Sequence, residues 1–308
     1  MIRKIVKAGQ EILPTGLKTR ISMSKIYNRM EARRLASANK RLDLCSAQIA
    51  HVLHLSDLSC KQPFRDKTVL EIGSGWVLSH ALIFLILGAK RVIATDIQRL
   101  AYPSALYESL HGSEISIIRD ILSPFEEHSM IRARLNKLLA IKSFSFQVLQ
   151  QVGLEYIAPI DLAVCPINRS IDFVYSGSVL QLVPVSDVLP ILKNLASDLS
   201  DGGKMIHILH LEDTKDFRNT PFSFLSEPAE EFTRKVQGRR GNRIRRSQWR
   251  DILSQIKDME FRFIYEWSRR DKELPTVIDP SINYVDDEDL MISHIGILGT
   301  KKKRDLEK

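Results

Sequence analysis

The stretch VLEIGSGWVLSH, residues 69 to 80, sets an acid and two glycines where an apolar run ends. Glycine at 73 and 75 removes side chains from a turn, so the backbone there can approach a ligand closely. A dinucleotide loop of the form GxGxxG needs a third glycine at position 78, where this chain has Leu78. A phosphate-cradling loop is excluded, because no Gly-Lys-Ser/Thr follows. Glu71 lies two residues before Gly73, near the end of a strand, where an acid meets a cationic or amino group and repels a phosphate. Asp96 follows Gly75 by 21 residues and ends the run RVIATD. A carboxylate at that place accepts hydrogen bonds from both ribose hydroxyls. The ligand these residues describe is a nucleoside with a positively charged, phosphate-free arm, a description that S-adenosylmethionine fits.

A second group of reactive side chains lies in HILHLED, residues 207 to 213. His207, His210, Glu212 and Asp213 are candidate general bases. Strand alternation sets His210 and Glu212 on one face and His207 and Leu209 on the other. His210 and Asp213 are the preferred catalytic candidates. Further on, RKVQGRRGNRIRRSQWR holds eight Lys/Arg in 17 residues, Arg234 to Arg250. Bidentate arginines in such a run can grip a phosphate or carboxylate, or a nucleic-acid backbone. It lacks the interleaved aromatics that stack bases, Trp249 being the single candidate. A small anionic or sugar-like acceptor is therefore favoured over nucleic acid. Cys45, Cys60 and Cys165 show no metal-ligand spacing and suit a reduced, cytoplasmic compartment. No metal site is expected.

These residues need a scaffold, and the pattern supplies one. TVLEIG reads as a buried strand, WVLSHALIFLILGAK as an apolar helix and RVIATD as a second strand, a crossover that implies parallel pairing. LEYIAPID, SIDFVYSGS and KMIHILHLED read as further strands, with the helix VSDVLPILKNLASDLS before the last of them. RRSQWRDILSQI reads as a helix, and EFRFIYEW and LMISHIGILGT as late strands with no helix between, hence an antiparallel hairpin at one sheet edge. The fold class is α/β, a Rossmann-like, doubly wound, mostly parallel sheet. Ligands of such sheets bind at the carboxyl ends of the strands, near the switch point.

Residues 1–65 read as an N-terminal helical extension and 66–300 as the main domain. Within it, 98–150 form a helical insertion and 214–247 a basic loop on the substrate side; 301–308 are a basic tail. A net charge of +8 permits an anionic partner without requiring one. No run reaches the ~18 apolar residues of a membrane span. The first residues, MIRKIVK, resemble a basic amphipathic helix that could touch an acidic membrane surface, or pack on the domain.

Taken together, VLEIGSGW, the Asp96 spacing, SIDFVYSGSVLQLVP and LSDGGKMIHI resemble class I S-adenosylmethionine-dependent methyltransferases over residues 66 to 265. The nearest likeness is to the methyltransferase type 11-like group, whose first motif reads E-x-G-[ST]-G-W. The resemblance implies that Glu71, Gly73, Ser74, Gly75 and Trp76 line the methionine side of S-adenosyl-L-methionine. It implies that Asp96 holds the ribose, that Ile97 packs on the adenine, and that Asp161 takes the adenine amino group with Leu162 beside it. Ser176 to Ser178 would face the cofactor and substrate, and Asp172 would be structural. Asn242, Arg243 and Arg245 match an asparagine–arginine–x–arginine stretch of that group, implying a substrate-facing lid and a small-molecule or glycan-precursor acceptor. Two departures stand out: Val77 replaces a frequent third glycine, and Leu182 stands where the group often has histidine. Three other functions share these features: an RNA methyltransferase, a non-catalytic cofactor-binding protein and an NAD(P)-dependent oxidoreductase.

Overall fold

The computed structural model describes residues 25–37, 41–58, 60–236 and 240–303. The amphipathic segment expected at the N-terminus and the end of the basic tail lie outside these residues. Strands β1 (Thr68–Ile72), β2 (Arg91–Thr95), β3 (Leu154–Ile157), β4 (Ile171–Gly177), β5 (Leu199–His210), β6 (Met259–Ser268) and β7 (Ile292–Lys301) form one sheet in the order β3-β2-β1-β4-β5-β7-β6. The first five are parallel; β7 runs antiparallel to both β5 and β6. This is a Rossmann-like, mostly parallel α/β sheet with an antiparallel strand pair at one edge. The chain reverses its direction of travel across the sheet between β1 and β4, so the crevice above their carboxyl ends is the switch point.

Alternation along β1 divides the core in two. Val69, with Val92, Phe173, Ile206 and Leu298, faces helices α1 (Lys25–Ser37), α2 (Arg41–Leu55), α3 (Ser79–Ile86) and α4 (Pro103–His111). Leu70, with Ile93, Val174, Met205 and Ile297, faces the helix Val185–Asp198 and the helix Arg246–Ser254. The N-terminal helices thus share a core with the sheet. Residues 98–150 are mainly helical, as α4 is followed by α5 (Ile115–Leu122), α6 (His128–Leu139) and α7 (Phe146–Gln151). We number the two helices of the second face α8 and α10. Helix α9 (Ala229–Val236) lies between them in the chain, and a short α11 (Asp287–Met291) leads into β7.

Two details position the site. Helix α3 begins at Ser79 rather than at Trp76, because Leu78 takes a left-handed conformation at φ 59° and ends the turn. In β6 the pairing with β7 slips between Phe263 and Tyr265. The slip turns Tyr265 and Trp267 onto the face that carries His294 of β7. Among the described residues, no helix is long and apolar enough to cross a membrane.

Candidate functional site

The glycine turn is stitched to the end of β2. The Ser74 amide donates to the Thr95 carbonyl (3.0 Å) and the Gly75 amide to Asp96 Oδ2 (3.0 Å). Asp96 Oδ1 accepts from the Gln98 amide (3.0 Å), and the Asp96 carbonyl accepts from the Ile160 amide (3.0 Å), which brings in the segment after β3. Asp96 is buried. Burial raises its pKa, against the pull of the Gln98 and Gly75 amides. Both glycines have positive φ, +67° at Gly73 and +63° at Gly75. A Cβ on Gly73 would sit 2.4 Å from Val179 Cγ2, whereas one on Gly75 would meet nothing within 4 Å. Gly75 therefore leaves its side of the turn open. Beside it, Ile97 is 65% exposed, an apolar surface next to the Asp96 carboxylate.

Glu71 points to the helix-rich face, with Oε1 3.4 Å from His80 Nδ1. Its Oε2, Ser74 Oγ and Trp76 Nε1 are buried with no hydrogen-bond partner among the described residues. Three orphaned polar atoms within the six residues from Glu71 to Trp76 are costly unless something meets them. Trp76 packs against the first core and Val77 is buried within it. Asp161 is exposed; its Oδ1 accepts from the Ala163 amide (2.9 Å). Leu162 is buried in the second core. Ser176 does not reach the crevice: it is fully buried, with Oγ 2.7 Å from His207 Nδ1. Ser178, exposed at φ 61°, stands at the strand's end instead.

A second cluster lies where β5 ends beside the start of β7. His210 is paired in register with His294, and their ring centroids are 4.2 Å apart. Glu212 Oε2 lies 4.0 Å from His294 Nε2, while Glu212 Oε1 accepts from Arg269 at 3.0 Å. Burial lowers the pKa of His210, and burial, His210 and Arg269 together bring that of His294 down to about 4. Both rings are neutral at pH 7. On the opposite face His207 is fully buried, its Nε2 has no partner among the described residues, and burial holds its pKa down to about 3. Asp213 is buried and held by Arg240, whose Nε lies 3.0 Å from each carboxylate oxygen; Oδ1 also accepts from the Lys215 amide. It anchors the loop, with no oxygen turned to solvent.

The asparagine–arginine stretch is drawn inward. Asn242 Nδ2 donates to the Leu180 and Val183 carbonyls (2.9 and 3.1 Å). Arg243 donates to the Phe224 and Glu227 carbonyls and lies over the Phe232 ring at 4.2 Å. Arg245 is completely buried, donates to the Leu211 and Leu290 carbonyls, and has its pKa lowered to about 10 by burial. These donors clamp the loop to the ends of β4 and β5, a structural task. Gln181, His210, Glu212, Arg243 and Arg245 line a narrow cleft at that junction. A second cavity lies at the amino ends of the strands, by Lys67, Asp172 and Gly202. Neither includes the glycine turn.

The structure thus forms two groups. Gly73 to Trp76, Asp96, Ile97 and Asp161 gather above β1, β2 and β3; His210, Glu212, Asp213 and the arginine loop gather at β5. Segment 179–183 joins them, with Val179 against Gly73 and the Leu180 and Val183 carbonyls on Asn242. His294 is the residue that reading the sequence left out. Its one signal is the alternation His294, Gly296, Leu298, which becomes informative once β7 is known to lie beside β5.

No protein-family profile matches the chain, and no curated protein matches it. Solved structures do. The YcgJ protein from Bacillus subtilis overlaps 83% of this chain and 99% of its own, at 12% identity and a TM-score of 0.45. Magnesium protoporphyrin IX methyltransferase from Synechocystis, solved with bound SAH, overlaps 91% and 88%, at 12% identity and a TM-score of 0.42. TehB from Haemophilus influenzae overlaps 81% and 62%, at 14% identity and a TM-score of 0.41. At this distance no residue role passes from them to this chain.

Proposed function

We propose that this chain is an S-adenosylmethionine-dependent methyltransferase acting on a small-molecule or glycan-precursor acceptor, its catalytic unit spanning residues 66–300. The observation that carries the reading is the turn itself. Gly75 leaves an open side beside the Asp96 carboxylate and exposed Ile97, and Glu71, Ser74 and Trp76 of the same segment keep buried polar atoms with no partner among the described residues. Those residues fit an adenosyl group with a cationic arm. Asp96 retains a lone pair on each oxygen for ribose hydroxyls, Ile97 offers the apolar contact an adenine needs, and Asp161 stands exposed on the neighbouring loop. The Glu71 carboxylate favours positive charge nearby. Cys45, Cys60 and Cys165, unlinked by disulfides, suit a reduced, cytoplasmic setting.

When bound, the cofactor supplies an electrophilic methyl group on a sulfonium. The chain's task is to orient an acceptor and keep water out, which can contribute up to ~7–11 kcal/mol. On the acceptor side, His210 is neutral and half-buried, so it can accept a proton; Asp213 has both carboxylate oxygens engaged by Arg240. The inward turn of Arg240, Arg243 and Arg245 favours a small acceptor over a nucleic-acid backbone. A crystal soaked with S-adenosylhomocysteine tests the reading. Density against Gly75 and Asp96 supports it; density elsewhere, or none at millimolar ligand, removes it.

A further inference from the structure

We propose that His210, Glu212 and His294 form a binding site for a divalent transition metal of the zinc, cobalt or nickel class. One ligand atom from each residue lies within 4.8 Å of the others. The argument rests on the tautomer of His294. Ser293 Oγ donates its proton to the Trp267 carbonyl (2.9 Å) and is therefore an acceptor toward His294 Nδ1, 2.9 Å away. The imidazole proton is thus on Nδ1, and Nε2 presents a bare lone pair. That lone pair faces a carboxylate oxygen, Glu212 Oε2, across 4.0 Å. Two electron-rich atoms held this way repel each other, and a cation between them turns that repulsion into attraction.

The surroundings are those of a metal site. His210 and His294 are cross-strand partners, so the sheet itself fixes their spacing. No hydrogen bond engages the His210 ring among the described residues, which leaves it free to turn toward the other two. Glu212 keeps Oε2 for the ion while Oε1 is held by Arg269. A hydroxyl behind one imidazole and a guanidinium behind the carboxylate are the outer contacts that orient metal ligands. With metal–ligand bonds of about 2.0–2.2 Å, tetrahedral ligands stand roughly 3.3 Å apart. Rotation of the His210 and Glu212 side chains closes that gap. Two imidazoles and one carboxylate leave coordination positions open. The neighbouring Trp267 is 49% exposed, so the site lies near the surface. Metal binding here does not depend on the methyltransferase reading, but it competes with a general-base role for His210, since one lone pair serves both.

The test uses the full chain, stripped with a chelator and titrated with Zn²⁺ by calorimetry and with Co²⁺ by visible absorption. One equivalent should bind with a Kd near or below about 1 μM, with Co²⁺ developing ligand-field bands. His210→Ala and His294→Ala should each weaken binding about 100-fold or more, and Ser293→Ala about 10-fold, as for an outer contact. If a variant does not fold, ¹⁵N spectra of the wild-type histidines decide: Zn²⁺ should shift the Nε2 resonance of His294 and a ring nitrogen of His210. The absence of saturable one-to-one binding below about 100 μM, or affinity and spectra indifferent to these residues, overturns the site. Neither result depends on S-adenosylhomocysteine binding, so the two proposals fail separately.

Discussion

Gly73 and Gly75 share a left-handed backbone for different reasons. At Gly75 only the dihedral excludes a side chain; at Gly73 Val179 fills the space as well. Gly75→Ala should cost about 1–2 kcal/mol through the left-handed penalty. Gly73→Ala should add about 1–3 kcal/mol of overpacking. Equal urea midpoints for the two variants would show that Val179 simply moves aside. Arg245 poses a similar question of role. A residue that meets substrate leaves stability alone when truncated, whereas one that satisfies buried carbonyls does not. Arg245→Ala removes both donors from the Leu211 and Leu290 carbonyls and should destabilise the fold by about 2–4 kcal/mol in urea unfolding. A fully stable variant would return the residue to the substrate side.

At the scale of elements, β5 and its partner β7 hold three histidines whose pKa values burial lowers: His207, His210 and His294. The folded chain keeps His207 neutral down to about pH 3 and His294 down to about pH 4. In the unfolded chain each protonates near pH 6.5. Below that pH the unfolded state binds more protons, so stability present at neutral pH falls as the solution is acidified. The slope approaches about 1.4 kcal/mol per pH unit for each histidine. Chemical denaturation between pH 7 and 4 should show this decline, and His207→Gln should flatten part of it. A pH-independent midpoint across that range would mean the rings reach water in the folded state. The strands themselves were readable as apolar runs between turn residues. What could not be read was the order β5-β7-β6, since a hydrophobic pattern says which residues face a core but not which strand lies alongside. The slip in β6 that turns Tyr265 and Trp267 toward His294 was hidden for the same reason.

Across the whole molecule, the crevice and the arginine loop differ in how openly the sequence displays them. Glycines beside a strand and an acid at a fixed interval are local, and the fold brings Gly75 and Asp96 together at 3.0 Å. A basic run is ambiguous, because an arginine that satisfies buried carbonyls has the same letter as one that grips an anion. Arg243 and Arg245 belong to the first kind here, and Arg240 pairs with the Asp213 carboxylate of its own chain, distinctions that emerge only once Asp213, Phe224 and Leu211 are seen behind them. Ser176 is the converse, a strand-end residue that pairs with His207 inside the core instead of turning to the crevice.

The central claim is that the open turn and Asp96 hold an adenosyl group. Calorimetric titration of the wild-type chain and of Asp96→Ala with S-adenosylhomocysteine tests it most directly, with thermal melts to confirm that both are folded. The account predicts one ligand per chain and a loss of about 1.5–3 kcal/mol in the variant, roughly a 10- to 150-fold weaker Kd, from the lost charged hydrogen bonds. Equal affinity in the two proteins, or a wild-type chain that ignores S-adenosylhomocysteine and binds NADH, would contradict it.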